Sequence, residues 1–414
     1  MSELKKYTGE RLILSPKGKE KRKPNWKLNI LKLYLFNFLM GFHMISGILL
    51  PFFLNWGKLT FVEIMILQSF FTLMILVLEI PCGAIADYIS RRFSLILGAL
   101  STALAALIYG SFSNIFIFMI GETLFALGNS LISGTDTAFL YDTLKKMNCE
   151  DKLTKFAARN RSFVLLGVTL SAPIGSLIGS AFSLNLVMTL MFIPFSIAFI
   201  ISISLKEPVM NEKNLESPNY IQVIKTGFKE LRNNKILRIL ALDLVSVESL
   251  IFFLIWTYQV YLDKLYFPLE LFGLISASMT ITQLVFSNLV HSFKERFKNS
   301  RRFLQIYTII PGLGYIFMSL IYFTPVSITL ILIVIGFGFT RSLIFVQGIN
   351  KQIQSNNRAT VISTVNMITC LIRTVLYPLV GILVMMNLNL TFISLGVIIL
   401  IIGIFTRVKQ KYLK

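Results

Sequence analysis

Residues 79 to 92 read Glu79-Ile80-Pro81-Cys82-Gly83-Ala84-Ile85-Ala86-Asp87-Tyr88-Ile89-Ser90-Arg91-Arg92. This stretch decides the fold, because it ends one long apolar segment and comes just before another. It therefore marks a point where a membrane helix reaches water. Gly83 and Ala84 are small enough to permit close helix contact. Asp87, Arg91 and Arg92 form a charge cluster on a very short turn.

Apolar runs long enough to cross a bilayer lie on both sides of this stretch. The chain is 55% hydrophobic and 14% charged, whereas a soluble globular chain carries about 25% charged residues. A membrane-spanning helix needs about 20 apolar residues. Runs of this kind predict twelve spans, at 31–55, 60–86, 93–112, 115–141, 160–182, 184–204, 237–262, 267–290, 303–323, 325–349, 359–384 and 388–406. The sequence thus predicts an all-α membrane protein with little chain left for a soluble domain.

The basic residues indicate how the chain is oriented in the membrane. The net charge is +20, and 36 of the 40 Lys and Arg residues fall on alternate loops or on the two tails. Cytoplasmic loops carry such an excess, so both termini are expected in the cytoplasm of a cell-membrane protein. The same charges favour anionic lipid and carry no implication of nucleic-acid binding.

A hydrophilic segment divides the spans into two sets of six. The predicted parts are a basic N-terminal tail at 1–27, a first half at 28–205, a central loop at 206–236, a second half at 237–406 and a C-terminal tail at 407–414. Apolar residues at helical spacing within the central loop predict a short amphipathic helix on the membrane surface, or a solvated linker. Ser90-Arg91-Arg92-Phe93 recurs as Ser300-Arg301-Arg302-Phe303, as expected for paired six-helix units.

Charged side chains inside the spans are the main candidates for function. A charge at the bilayer centre costs about 2.5–3.5 kcal/mol on insertion scales, so each one needs a reason. The candidates are Glu79, Glu122, Asp136, Asp243, Glu248, Arg341 and Arg373, with Asn129 and His43 as polar companions. For each acid, the alternative to a functional role is a fixed ion pair with Arg341 or Arg373.

Helix 4 shows how these candidates share one face. Glu122, Asn129, Ser133 and Asp136 return to nearly the same helical angle. Similar polar stripes on helices 2, 8 and 11 predict that the helices surround a water-filled cavity. Glu248 lies midway along its span and Glu122 nearer the outer side, while Asp136, Glu79 and Asp243 lie nearer the cytoplasm. A desolvated carboxyl group in such a cavity can bind and release a proton.

The quoted stretch resembles the loop between the second and third helices of major facilitator superfamily transporters, where Gly-x-x-x-Asp precedes paired basic residues. Its longer form, from Glu79 through Pro81 to Arg92, resembles the variant in Gram-positive tetracycline and multidrug exporters. The segment 133–142 resembles the end of helix 4 in prokaryotic exporters, and 358–361 resembles the loop entering helix 11. The resemblance spans nearly the whole chain and implies the two-half fold of this family.

The resemblance also implies roles for particular residues. Gly83, Asp87, Arg91, Arg92 and Asp142 would form a cytoplasmic gate, with Asp87, Arg91 and Asp142 holding the outward-facing state. The alternative is that the two arginines only set orientation.

Helix 5 resembles in part the Gly/Pro-rich motif of drug–proton antiporters. It carries Gly167, Pro173, Gly175 and Gly179, and a plain packing motif is the other reading. The chain departs from the family pattern by having no arginine in helix 4. The resemblance then implies that proton coupling depends on Arg341 or Arg373 of the other half.

The leading functional expectation is proton-coupled export of small amphipathic compounds, such as drugs, by a monomer that uses alternating access. Acids in an aromatic-rich cavity suit cationic ligands. The alternatives are proton-coupled import of a small anionic metabolite, held by Arg341 and Arg373, and a non-transporting receptor or scaffold. Cys82, Cys149 and Cys370 show no metal or disulfide spacing, and no enzyme activity, metal or cofactor is expected.

Overall fold

The structure, a computed structural model, describes residues 25–208, 220–296, 300–353 and 358–413. These described residues form helices and connecting turns, with no β-strand among them. Eleven helical segments are long and apolar enough to cross a membrane, and Leu388–Ile404 is a shorter apolar helix. The predicted all-α class is confirmed, and the predicted number of twelve spans holds when this short helix is included.

The first half contains six spans. They are α1 (Trp26–Met40, continued by short turns to Trp56), α2 (Phe61–Ala84, continued by a π-helical turn Ile85–Ile89), α3 (Arg91–Ser111), α4 (Ile115–Ile132 and Thr135–Lys146), α5 (Leu153–Ala181) and α6 (Leu184–Leu190 and Phe192–Ser204). Local sequence fixes several starts. Thr60 and Glu63 form a reciprocal capping box before α2, and the Ser90 side chain caps α3, which satisfies backbone N–H groups that a helix start leaves free.

The second half repeats this arrangement. Its spans are α7 (Lys235–Phe252 and Leu254–Lys264), α8 (Phe272–Arg296), α9 (Ser300–Leu320), α10 (Thr324–Lys351), α11 (Arg358–Met386) and α12 (Leu388–Ile404). A separate helix, Tyr220–Asn233, precedes α7, and we call it the linker helix. It packs against α11 with Gly227 so close to Thr364 that a methyl group at Gly227 would collide with that side chain.

Helix α4 is interrupted near the middle of the bundle. It stops at Ile132, and Gly134 has a φ of 75°, a conformation that side-chain-bearing residues rarely adopt. The chain then restarts as Thr135–Lys146. At this break Ser133 lines both of the cavities described below.

The two halves touch mainly at one end. Six spans lie on either side of the linker helix, so the described chain ends and that helix share one face of the bundle, which we call the terminal face. The opposite face is the distal face. Among the described residues, the hydrogen bonds between halves join Gln259 to the α1 turns, Ser176 to Glu270 and Ser69 to Thr374. These contacts lie in the distal part of the bundle, whereas Glu79 and Asn129, nearer the terminal face, are exposed.

Candidate functional site

The larger cavity lies within the first half. It has a volume of about 570 Å³, and its lining residues all come from α1 to α6. Its polar lining includes Asn37, Gln68, Glu122, Asn129, Asp136 and Asn160. We call it the N-half cavity. The predicted polar stripe on α4 thus faces a cavity, but the residues that line this cavity all belong to the first half.

Glu122 is the deepest acid of this cavity. Its side chain is 5% exposed, and Gln68 donates a hydrogen bond of 2.7 Å to its Oε1. The buried Tyr109 lies beside the carboxyl group. No arginine or lysine of the described chain forms an ion pair with Glu122. The carboxyl group is therefore held by neutral partners and remains free to exchange a proton or attract a cation.

Asp136 is held by a chain of amides nearer the terminal face. Asn37 of α1 donates to Asn160 of α5 at 2.9 Å, and Asn160 donates to Asp136 at 3.0 Å. Asp136 also accepts from the backbone N–H of Thr137 at 2.7 Å, within the first turn of the second part of α4. This network joins three helices just below the α4 break, so Asp136 has structural partners that Glu122 does not have.

His43 also lines the N-half cavity. It stands before the 3₁₀ turn Met44–Gly47, and its ring centroid lies 5.3 Å from that of Phe195. The contact with Phe195 positions the imidazole at the cavity wall. A role in proton transfer stays a prediction.

A second cavity lies between the halves. It has a volume of about 370 Å³ and is lined by α2, α4 and α11, including Glu79, Ser133, Asn366 and Cys370. We call it the interface pocket. Asn129 and Ser133 line both cavities, so the α4 stripe connects them. Glu79 is exposed and makes no ion pair with any described residue.

Arg341 and Asp243 form a sealed ion pair in the second half. Arg341 is 2% exposed and donates through Nη2 to Asp243, while its Nε donates to Thr308 at 2.8 Å. Thr406 donates to the other oxygen of Asp243 at 2.6 Å. Neither residue lines the cavities described above. Arg341 and Asp243 therefore match the alternative raised from the sequence, in which an acid inside the spans forms a fixed ion pair with an arginine.

Arg373 and Glu248 form a looser pair near the interface between the halves. Arg373 Nη2 donates to Glu248 at 3.3 Å, and the guanidinium carbon lies 4.1 Å from the centroid of the Phe252 ring. The Arg373 Nε is buried and has no hydrogen-bond partner among the described residues. Glu248 is therefore partly neutralised, and Arg373 retains N–H donors, with Nε among them, that no described residue accepts.

The predicted gate residues are only partly brought together. Arg91 pairs with Asp142 and also donates to the carbonyl of Ala138 at 2.7 Å. Asp87 is exposed and makes no hydrogen bond or ion pair with the described residues. The arginine–aspartate contact thus ties α3 to the terminal end of α4 without Asp87.

Glu207 completes this cluster, although the sequence predicted only that it belongs to the central loop at 206–236. It accepts hydrogen bonds from Ser90 Oγ at 2.8 Å, from the Arg92 backbone N–H at 2.9 Å and from the Arg91 backbone N–H at 3.2 Å. A carboxylate at a helix N-terminus is stabilised by the free N–H groups and the helix dipole. The sequence feature that could have indicated this contact is an acidic residue directly after the sixth span.

The glycines divide into packed and unpacked positions. A methyl group at Gly167 or Gly175 would collide with backbone atoms of α1, and one at Gly179 would contact Ile48. Gly83 has open space around it, so the close helix contact expected there is absent from this state. Pro173 lies within the continuous helix α5. The α5 motif therefore acts as a packing surface against α1.

The described residues contain no group of three or more His, Cys, Asp or Glu side chains that could hold a metal ion. The three cysteines are free thiols. Sequence reasoning missed Asn37, Asn160 and Tyr109, because a single amide or hydroxyl within an apolar run gives no indication of its partner.

Comparisons with known proteins agree with this architecture. The family model described as Major Facilitator Superfamily matches residues 33–375, and no curated protein matches the chain. Among solved structures, a variant of the nucleoside transporter NupG has a TM-score of 0.78 at 14% identity, covering 92% of this chain and 100% of that one. A D-xylose–proton symporter has a TM-score of 0.70 at 12% identity, covering 94% and 99%.

A variant of the peptide transporter POT aligns with a TM-score of 0.71 at 11% identity, covering 92% of this chain and 93% of that one. Identities this low support the fold alone.

Proposed function

The chain belongs to the major facilitator superfamily, and on that premise we propose that it exports small amphipathic cations in exchange for protons. Membership makes it a multi-pass membrane protein and a secondary transporter rather than an enzyme. Such transporters move one half against the other around a central site.

One observation carries the proposal. Arg341 and Arg373 lie deep in spans of the second half, and each is paired with an acid of that half, Arg341 with Asp243 and Arg373 with Glu248. Glu122 and Glu79 of the first half line cavities and have no basic partner among the described residues. Arg161 also lines the N-half cavity, but it is exposed and lies near enough to Asp136 to interact with its charge. The deeply buried group without a basic partner is Glu122, and its acidity favours cations and protons over anions.

The wall around Glu122 suits an apolar cation. Phe53, Phe71, Phe125, Met40, Met188 and Met191 line the same cavity. Aromatic faces attract organic cations, and methionine adapts its shape to different apolar groups. A compound with a cationic centre and an apolar body would place its charge at Glu122 and its body against this wall.

The state of the halves and the distribution of charge support export. The terminal face carries most of the basic loops, and the positive-inside rule predicts that such a face lies on the cytoplasmic side. The halves make their hydrogen bonds distally, which leaves the terminal side open to the cytoplasm. A cation would bind Glu122 from that side, and a proton from outside would displace it after the halves rearrange.

Replacement of Glu122 by Gln tests the proposal. In everted vesicles with an acidic lumen, adding tetraphenylphosphonium or ethidium should release protons through the wild type. The rate should fall roughly tenfold or more in Glu122→Gln, because a buried charged contact contributes about 1.5–3 kcal/mol. Glu63→Gln is the matched control, since Glu63 caps α2 at the distal surface. Failure of a broad panel of cations to release protons through the wild type would contradict the proposal.

A second candidate is import of a small anion with protons. The unpaired Nε of Arg373 favours it, because guanidinium groups bind carboxylate and phosphate well. Uptake of labelled carboxylates driven by an inward proton gradient, lost in Arg373→Ala, would support import. No uptake by the wild type would remove this candidate.

A further inference from the structure

Helix α1 loses its regular hydrogen bonding in its distal third. It is α-helical to Met40, forms a 3₁₀ turn at Met44–Gly47, and ends in a π-helical turn at Phe52–Trp56. In an uninterrupted α-helix, the N–H of residue 50 would donate to the carbonyl of residue 46. Here Ser46 lies in the 3₁₀ turn and Leu50 in the single α-helical turn Leu49–Pro51 that follows it. No backbone hydrogen bond joins Leu50 N–H to Ser46 C=O.

A side chain from the other half bonds to both groups. Gln259 of α7 accepts from Leu50 N–H at 2.9 Å through Oε1, and its Nε2 donates to the carbonyl of Ser46 at 3.2 Å. Nε2 also donates to the Tyr258 hydroxyl at 3.0 Å, and Gln259 is 3% exposed. The carboxamide is thus inserted into the hydrogen-bond ladder of α1, which is a known cause of sharp helix distortion.

The contact lies where the halves are pressed together. A methyl group at Gly47 would collide with the backbone of Gly273 in α8. One helix turn away from that contact, Ser176 of α5 donates to the carbonyl of Glu270 at 2.8 Å. Gln259 thus reaches α1 across a closed distal contact between the halves.

Separation of the halves would leave Ser46 C=O and Leu50 N–H without this partner. An unpaired backbone group away from water is costly, and the two groups are each other's natural partners in an α-helix. We propose that Gln259 is a positioning residue that holds the distal side closed with α1 interrupted, and that residues 46–50 close their own turn when the distal side opens.

This exchange links the distal contact to the N-half cavity. Met40, His43, Ile45 and Leu49 belong to α1 and line that cavity. Rewinding of the turn rotates the residues that flank it, so the cavity wall changes shape as the distal side opens. The link depends on alternating access and is independent of which cargo is carried.

Spin-label distances across the distal face test the proposal. Labels would replace Phe112 at the end of α3 and Phe323 before α10, both 65% exposed, in full-length protein lacking its three cysteines and placed in nanodiscs. Removing two hydrogen bonds in Gln259→Ala should raise the ratio of distal-open to distal-closed protein roughly tenfold. Gln305→Ala, the same change on α9 at a site without a side-chain hydrogen bond to the described residues, should leave the ratio unchanged.

Gln259→Glu separates positioning from simple loss of packing. A protonated carboxyl group can accept from Leu50 and donate to Ser46, whereas a carboxylate can only accept. The distal-closed fraction of Gln259→Glu should therefore rise as the pH falls, by more than in Gln259→Ala over the same range. Equal distance distributions in Gln259→Ala and Gln305→Ala would overturn the proposal. So would a Gln259→Glu response that matches Gln259→Ala at every pH.

Discussion

Arg341 shows how a charge can lie inside the membrane without contacting cargo. Its guanidinium group is bonded to Asp243 and Thr308, and its carbon lies 4.4 Å from the centroid of the Phe345 ring. Such a pair repays the cost of burial only when its remaining donors and acceptors are satisfied. Removing one partner leaves the other charge buried and unpaired, so the two residues depend on each other.

We expect Arg341→Met to lower the free energy of unfolding by about 3–5 kcal/mol, because it leaves Asp243 buried without a cation. The double change Arg341→Met with Asp243→Leu should recover most of this loss and retain transport. Thermal unfolding of the purified protein in detergent measures the first effect, and vesicle transport the second. A single variant as stable as the wild type would show that the pair does not stabilise the fold. Loss of transport in a stable double variant would indicate a functional role.

The sequence could name the charged residues but could not pair them. Asp243 and Arg341 are 98 residues apart, and helical spacing says only which face of its own helix each side chain occupies. Asn160 illustrates the same limit, since its bonds to Asn37 and Asp136 depend on how three helices pack. The Arg91–Asp142 contact was expected from resemblance, whereas the Glu207 contact with α3 was missed.

At the scale of the helix, close packing depends on a few glycines of α5. Gly167 faces the carbonyl of Phe38, and Gly175 faces that of Met44. Both contacts are with backbone atoms, which cannot move aside as a side chain can. The contact brings α5 against the interrupted part of α1.

Gly175→Ala should destabilise the protein by about 1–3 kcal/mol, the usual cost of overpacking. Gly83→Ala should be neutral or slightly stabilising, because Gly83 lies in α2 with open space around it and alanine favours the helix by about 0.5–1 kcal/mol. Melting temperatures of the two purified variants make the comparison. Equal destabilisation by both would show that the α5 contact is looser than described.

Helix positions were predicted well, and helix interruptions were not. Length and hydropathy gave each span a helix, because a bilayer imposes one requirement on all of them. The bounds agree less well, since α5 begins at Leu153 rather than at 160 and α8 ends at Arg296 rather than at 290. The interruption of α1 depends on Gln259 from another helix, and the break in α4 on the backbone angle of Gly134. A glycine within an apolar run signals packing as readily as it signals a break.

At the scale of the whole molecule, charge and architecture agree. The basic loops lie on the face that carries the linker helix, and the N-half cavity lies within one half rather than between the two. The sequence predicted a single central cavity. The structure divides its residues among the N-half cavity, the interface pocket and a sealed ion pair.

Orientation in the membrane can be tested directly. A fluorescent protein fused after residue 414 should fold and fluoresce, as it does in the cytoplasm. A cysteine replacing Phe112 or Phe323 should react with an impermeant maleimide added to intact cells, since the distal face would then lie outside. A cysteine replacing exposed Lys155 should stay unreacted until the cells are lysed. Labelling of Lys155→Cys in intact cells would reverse the assigned topology.

The cluster around Arg341 also sets an order for biogenesis. Asp243, Thr308, Arg341 and Thr406 come from α7, α9, α10 and the segment after α12. A ribosome releases Asp243 well before Arg341, and Thr406 after both. Until then the early carboxyl group enters the membrane without its partners. We expect the second half to remain loosely assembled during translation and to become rigid only when α12 and Thr406 have left the insertion machinery.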